Sequence, residues 1–309
     1  MCTILYIISF LFLVFCILTN SELSLFYASK GLALWFDKMI PALLPFMILS
    51  ATLIRMGLTE GFTTIVYPVI RPVFRVSRNV CYVMLMGFMC GFPMGAKCVS
   101  DLYSRDKITR EEASFLLAFC NNIGPVYFVS FALPTIGCTG HLQATVLGMY
   151  GIPLLYGVFL RYTKYREKIY ITPAGSPGKT MGRKVQDKNR MLLPALDEAI
   201  YTSLQSIAML GGYMILFNLL MMIPQLYMPK TFRYIAPLLE ITGGLSILKG
   251  SLPIYSLLVL PFGGLSCIAQ TYTCIRNTDL SLSEYVLHKI ILTVLTLLYY
   301  LLLRFLRLW

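Results

Sequence analysis

The chain has 309 residues, of which 57% are hydrophobic and only 13% charged, with a formal net charge of +12. Soluble domains carry roughly a quarter charged residues, so this composition excludes a soluble catalytic domain and predicts an all-α, polytopic membrane protein whose main partner is the lipid bilayer. Nucleic acid is not the expected partner either, because nine of the twenty-six basic residues are concentrated between Arg161 and Arg190 instead of covering a folded face.

In chain order, apolar segments separated by polar or turn-rich breaks fall at 3–19, 31–56, 62–76, 80–103, 111–137 and 142–160. After the basic stretch they resume at 193–223, 234–249, 253–275 and 281–308. Residues 1–30 form an N-terminal anchor helix and loop, since the opening MCTILYIISFLFLVFCILT has no basic leader and no small-residue cleavage site. Two membrane repeats, 31–160 and 193–309, flank a linker at 161–192 that the positive-inside bias holds in the cytoplasm.

Arg71, Arg75 and Arg78 precede segment 80–103, and Arg105, Lys107 and Arg110 follow it. Basic residues at both ends predict a re-entrant hairpin, and GFMCGFPMGAK supplies Gly91, Pro93 and Gly95 for its tip. Lys97 lies just beyond, with Asp101 one helical turn later. It is read either as half of an ion pair that stiffens the hairpin or as a contact for an anionic or carbonyl-bearing solute.

In segment 111–137 the sequence FCNNIGPVYF places Asn121, Asn122, Gly124 and Pro125 at the centre of an apolar run. Pro125 has no backbone N–H to offer, so the helix is expected to break, and the freed carbonyls must face protein, water or a ligand. The asparagines therefore either bond neighbouring helices or contact a polar solute.

A shift of 173 residues lays Gly91, Ala96, Asp106 and Glu111 on Gly264, Ala269, Asp279 and Glu284. With a cytoplasmic linker the second repeat would be inverted, with its own hairpin tip at Gly264, Ser266 and Gln270, and with the C-terminus cytoplasmic. Glu240, beside Gly243 and Gly244, is the acid of that half. It is read either as reaching the outer interface or as a buried coupling group. In this register the last segment, 281–308, shows no break to match Asn121–Pro125.

The nine cysteines and two histidines show no ligand spacing, so neither metal nor cofactor is expected. GSPGKT at 175–180 lacks the first glycine and the preceding strand of a phosphate-binding loop. No arrangement of nucleophile and base suggests an enzyme.

Together WFDKMIPALLPFMIL, GFMCGFPMGAKCVSDLYSR, LLAFCNNIGPV and PLLEITGGLSIL resemble the sporulation integral membrane protein YlbJ family, within the wider group carrying the nucleoside-recognition or Gate domain. The resemblance implies a multi-pass membrane protein acting in spore formation and spore cortex formation. It also implies a transporter-like fold in which the Gly91–Lys97 hairpin and the Asn121–Pro125 break line a site for a small polar, nucleoside-like solute. Where the related nucleoside transporters carry acidic residues at the hairpin tip, this chain has Met94 and Lys97. The expectation is therefore a protein that moves or senses a small polar solute. The alternative is a non-transporting scaffold, working as a homo-oligomer or with other sporulation membrane proteins, with the basic linker as its contact surface.

Overall fold

The computed structural model describes residues 2–169 and 192–307, and among these it contains helices and no strand. Most of the predicted linker and GSPGKT lie outside the described residues. Helix α1 covers Cys2–Thr19 and is followed by α2, Ser21–Met56, so the predicted boundary at residue 30 falls inside a helix. After a short helical turn come α3 (Tyr67–Phe74), α4 (Arg78–Cys90), α5 (Met94–Tyr103) and α6 (Arg110–Phe119). Then follow α7 (Pro125–Ile136), α8 (Thr139–Tyr162) and α9 (Leu192–Tyr227). The chain closes with α10 (Phe232–Leu239), α11 (Ile241–Leu248), α12 (Pro253–Phe262), α13 (Gly264–Ile275) and α14 (Leu282–Phe305).

Five rods among the described residues are long and apolar enough to cross a membrane: α2, α8, α9, α12 with α13, and α14. A sixth is possible if α3 and α4, bent by 104°, form one span. The protein is a multi-pass membrane protein, and its many large apolar side chains exposed at the surface, such as Phe10, Ile65, Leu155 and Leu298, are those a bilayer would cover.

Helices α2 and α9 pack antiparallel along their length. Small residues permit the approach: a β-carbon on Gly31 would come within 3.0 Å of the α9 backbone at Met214, and one on Gly211 would meet the Trp35 ring at 2.5 Å. Trp35 Nε1 donates to the Ile207 carbonyl at 2.9 Å, and Arg55 pairs with Glu198 at 2.5 Å where α2 ends and α9 begins.

Helix α4 runs inward and α5 doubles back against it, so that Asn79 Nδ2 donates to the Lys107 carbonyl at 3.3 Å where the two open ends meet. Helices α10 and α11 also double back on each other. Arg233 donates to Ser251 Oγ at 3.3 Å across their open ends, and a β-carbon on Gly244 would lie 2.3 Å from Pro237 Cα.

Two sequence expectations are corrected here. Gly264, Ser266 and Gln270 do not form a hairpin tip, because Pro253–Ile275 continues in one direction, with its irregular joint at Gly263–Gly264. The chain doubles back at Glu240 instead, where φ of −144° and ψ of 124° turn α10 into α11. The second correction concerns the C-terminus. Lys164, just beyond α8, pairs with Glu284 at the start of α14, and Tyr299 near the other end of α14 donates to the Ala144 carbonyl at 3.0 Å, near the start of α8. The two helices are therefore antiparallel, and α14 ends at the opposite end of the bundle from Lys164. A cytoplasmic linker and a cytoplasmic C-terminus exclude one another.

Candidate functional site

Segment 111–137 breaks as its proline requires. Helix α6 stops at Phe119, Cys120–Gly124 are irregular, and Pro125 opens α7. Several carbonyls in the break find donors. Asn122 Nδ2 donates to Phe119 O at 2.6 Å, Tyr150 Oη to Ile123 O at 3.0 Å and Phe128 N to Gly124 O at 2.9 Å. Lys289 Nζ, from α14, donates to Asn121 O.

The tip of the α4–α5 hairpin is built against this break by glycines. A β-carbon on Gly91 would lie 2.2 Å from Gly124 N, and one on Gly95 would lie 2.7 Å from Cys120 O. Gly91 also has φ of +81°, a conformation that side chains disfavour. Asn121 locks the contact, since its Oδ1 accepts from Ala96 N at 3.3 Å while its Nδ2 donates to Thr271 Oγ1 at 2.9 Å and to Tyr285 Oη at 3.1 Å. Both Asn121 and Asn122 are fully buried, and neither lines the polar cavity beside Lys97 or the crevice beside Gly124. Of the two readings open for them, the observed contacts are the interhelical ones.

The second doubling-back point is held by Glu240. Its Oε1 accepts from Thr242 N at 2.9 Å and its Oε2 from Gly243 N at 2.6 Å, while Asn218 Nδ2 donates to Oε2 at 3.1 Å. Its side chain caps the first turn of α11, and at 2% exposure it does not reach the outer interface.

A polar cavity of about 360 Å³ lies between the α4–α5 hairpin, α9 and α13. It extends from Ser104 and Thr278 inward to Pro93 and Gln270, with Lys97, Asp101, Ser206 and Tyr213 on its walls. Lys97 Nζ is 3.1 Å from Asp101 Oδ1 and both remain partly exposed, so the ion pair expected on spacing forms and still faces the cavity. Gln270 Nε2 donates to Ser266 Oγ at 3.0 Å. Leu210 and Gln270 also line a narrower, mainly apolar crevice that reaches Gly124, Tyr127 and Glu240.

Ten of the twelve predicted residues thus divide among three places. Pro93, Lys97 and Gln270 line the cavity, with Ser266 behind Gln270. Gly124 and Glu240 line the crevice with Gln270, and Gly91, Gly95, Asn121 and Asn122 form the buried contact between hairpin and break. Pro125 opens α7, and Gly264 sits at the joint of the other broken rod, where a β-carbon would meet Pro237 O at 3.1 Å.

Sequence reasoning missed Lys289. It singles out Lys97 beside the hairpin tip, whereas Lys289 is 1% exposed and touches both asparagines. A charged residue in the long apolar run of α14 was the available signal.

No family model and no solved structure matches the chain. Among curated proteins, the sporulation integral membrane protein YlbJ of Bacillus subtilis (strain 168) is 28% identical over 295 residues, covering 89% of this chain and 68% of that protein. The likeness read from four motifs thus extends, to this Bacillus protein, along most of the sequence.

Proposed function

We propose that this protein is a transporter-like membrane protein that moves or senses a small polar solute, and that it acts in sporulation as the name of its Bacillus relative indicates. The observation that carries the solute reading is the polar cavity. Its volume of about 360 Å³ lies within the range of small-molecule sites. Its walls combine one cation, one carboxylate and several hydroxyl and amide groups, a lining suited to a neutral or zwitterionic molecule.

The proposed architecture is a pair of inverted repeats, each containing a long helix, a re-entrant hairpin, a broken helix and a closing helix. The hairpins are α4–α5 and α10–α11, and the broken helices are α6–α7 and α12–α13. Support comes from the open ends of the hairpins. Asn79–Lys107 lies at the end shared with Arg161 and Glu284, whereas Arg233–Ser251 lies at the other. Arg71, Arg75, Arg78, Arg105, Lys107 and Arg161 crowd the first end, which the positive-inside bias assigns to the cytoplasm. The cavity would then open inward, and the C-terminus would face out. Interrupted segments at corresponding positions of inverted halves are the pattern in which transporters build a midplane site.

A reconstituted-vesicle screen for uptake or binding of neutral and zwitterionic solutes tests the reading. For a solute so identified, Lys97→Ala and Gln270→Ala are expected to weaken uptake about tenfold or more without lowering thermal stability, each group contributing on the order of 1.5 kcal/mol. Unchanged uptake in both variants would remove the cavity from the function.

A further inference from the structure

The Lys289 ammonium lies at the break in the α6–α7 rod, against the groups that the end of α6 leaves free. The half-helix α6 ends at Phe119, directing its negative dipole end toward Asn121 and Asn122. Lys289 Nζ lies against the Asn121 carbonyl and 3.2 Å from Asn122 Oδ1, and it is 4.4 Å from the centre of the Phe92 ring. Two neutral oxygens, an aromatic face and a helix C-terminus make a cation cradle without a carboxylate, and Lys289 forms no ion pair among the described residues. Phe92 belongs to the hairpin tip and the two asparagines to the broken helix, so one ammonium bridges both.

We propose that Lys289 is a tethered cation: its ammonium occupies a monovalent-cation position between the hairpin tip and the break in the α6–α7 rod, so that no free alkali ion is required there. Half-helix C-termini and unwound carbonyls are the groups that bind coupling ions in secondary transporters, and here they are already neutralised by a group on the chain. The consequence is specific. Removing the ammonium leaves the Asn121 and Asn122 oxygens facing a vacant, buried cradle, and a sodium, lithium or potassium ion of suitable size should fill it.

The test is thermal unfolding of the purified full-length protein in detergent, in choline chloride and in matched lithium, sodium and potassium chlorides. Wild-type protein is expected to unfold at the same midpoint in all four. Lys289→Ala should unfold several degrees lower in choline and recover in one alkali salt with a saturable concentration dependence. Adding Asn122→Ala to that variant should abolish the recovery, because it removes one of the two oxygens. A saturable alkali-specific shift in the wild type would overturn the proposal, as would a Lys289→Ala midpoint equal in choline and every alkali salt. Lys289→Gln keeps an amide donor without the charge. Stability of Lys289→Gln equal to wild type in choline would show that the charge is dispensable and overturn the idea, and so would failure of both variants to fold at saturating alkali salt. This readout does not depend on the solute, so it can succeed or fail separately from the transport reading.

Discussion

Gly91 and Gly124 meet backbone to backbone, closely enough that a β-carbon on Gly91 would stand 2.2 Å from Gly124 N and one on Gly124 would stand 2.6 Å from Cys90 O. This contact seats the tip of one hairpin on the break of a neighbouring helix, and the positive φ of Gly91 adds a second reason for glycine there. Gly91→Ala is therefore expected to destabilise the protein by on the order of 3 kcal/mol, through overpacking against backbone and through strain. Gly212→Ala is the matched control, since its β-carbon meets nothing within 4 Å, and its unfolding midpoint should hold or rise slightly. Thermal unfolding in detergent distinguishes them.

Asn121 joins three elements through one amide. Asn121→Ala removes the acceptor of Ala96 N and the donor to Thr271 and Tyr285, all in a region without solvent. Each buried group left unpaired costs about 1–3 kcal/mol, so a lowered unfolding midpoint is expected, with solute affinity of the remaining folded protein unchanged. A change in affinity with no loss of stability would return Asn121 to the solute site.

Glu240 satisfies two backbone N–H groups at the start of α11. Glu240→Ala should cost about 1–2 kcal/mol from the lost cap alone, while Glu240→Gln, which keeps an acceptor oxygen, should fall between that variant and wild type. Equal midpoints for the two variants would show that the carboxylate charge, and not its capping geometry, supplies the stability.

The break at Pro125 was legible because proline acts locally: it removes a donor and a helix cannot ignore the loss. The tip at Gly91–Pro93 was legible for the same kind of reason. The second half was misread because its turning point carries no proline or glycine of its own. Glu240 makes that turn with its side chain, and Gly243 and Gly244 serve the packing of α11 against Asn218 and Pro237. The glycines at 263–264 gave a strong turn signal, yet there they only interrupt a rod that continues onward. Matching residues by one fixed offset then aligned a hairpin with a broken helix. The charge of Lys289 in an apolar run was readable, but its partners were not, because they lie in a segment more than 160 positions away.

Asp279, in the loop between α13 and α14, ties that loop to the first half. Tyr103 Oη donates to its Oδ1 at 2.8 Å, and Arg110 Nε lies 2.8 Å from its Oδ2. The Tyr103 hydrogen bond, with the Arg110 guanidinium beside it, holds the carboxyl below the usual carboxylate range. A carboxylate whose pKa is lower folded than unfolded stabilises the fold above its unfolded pKa, and the contribution is lost as pH falls through the folded value. Because the pair is exposed, the effect is small and screened by salt. Asp279→Asn should therefore unfold slightly below wild type at neutral pH and low ionic strength. The two midpoints should converge as the pH is lowered past the carboxylate range, and also as salt is raised at neutral pH. A gap that persisted unchanged into strong acid would mean that the loop is held by the shape of the side chain and not by its charge.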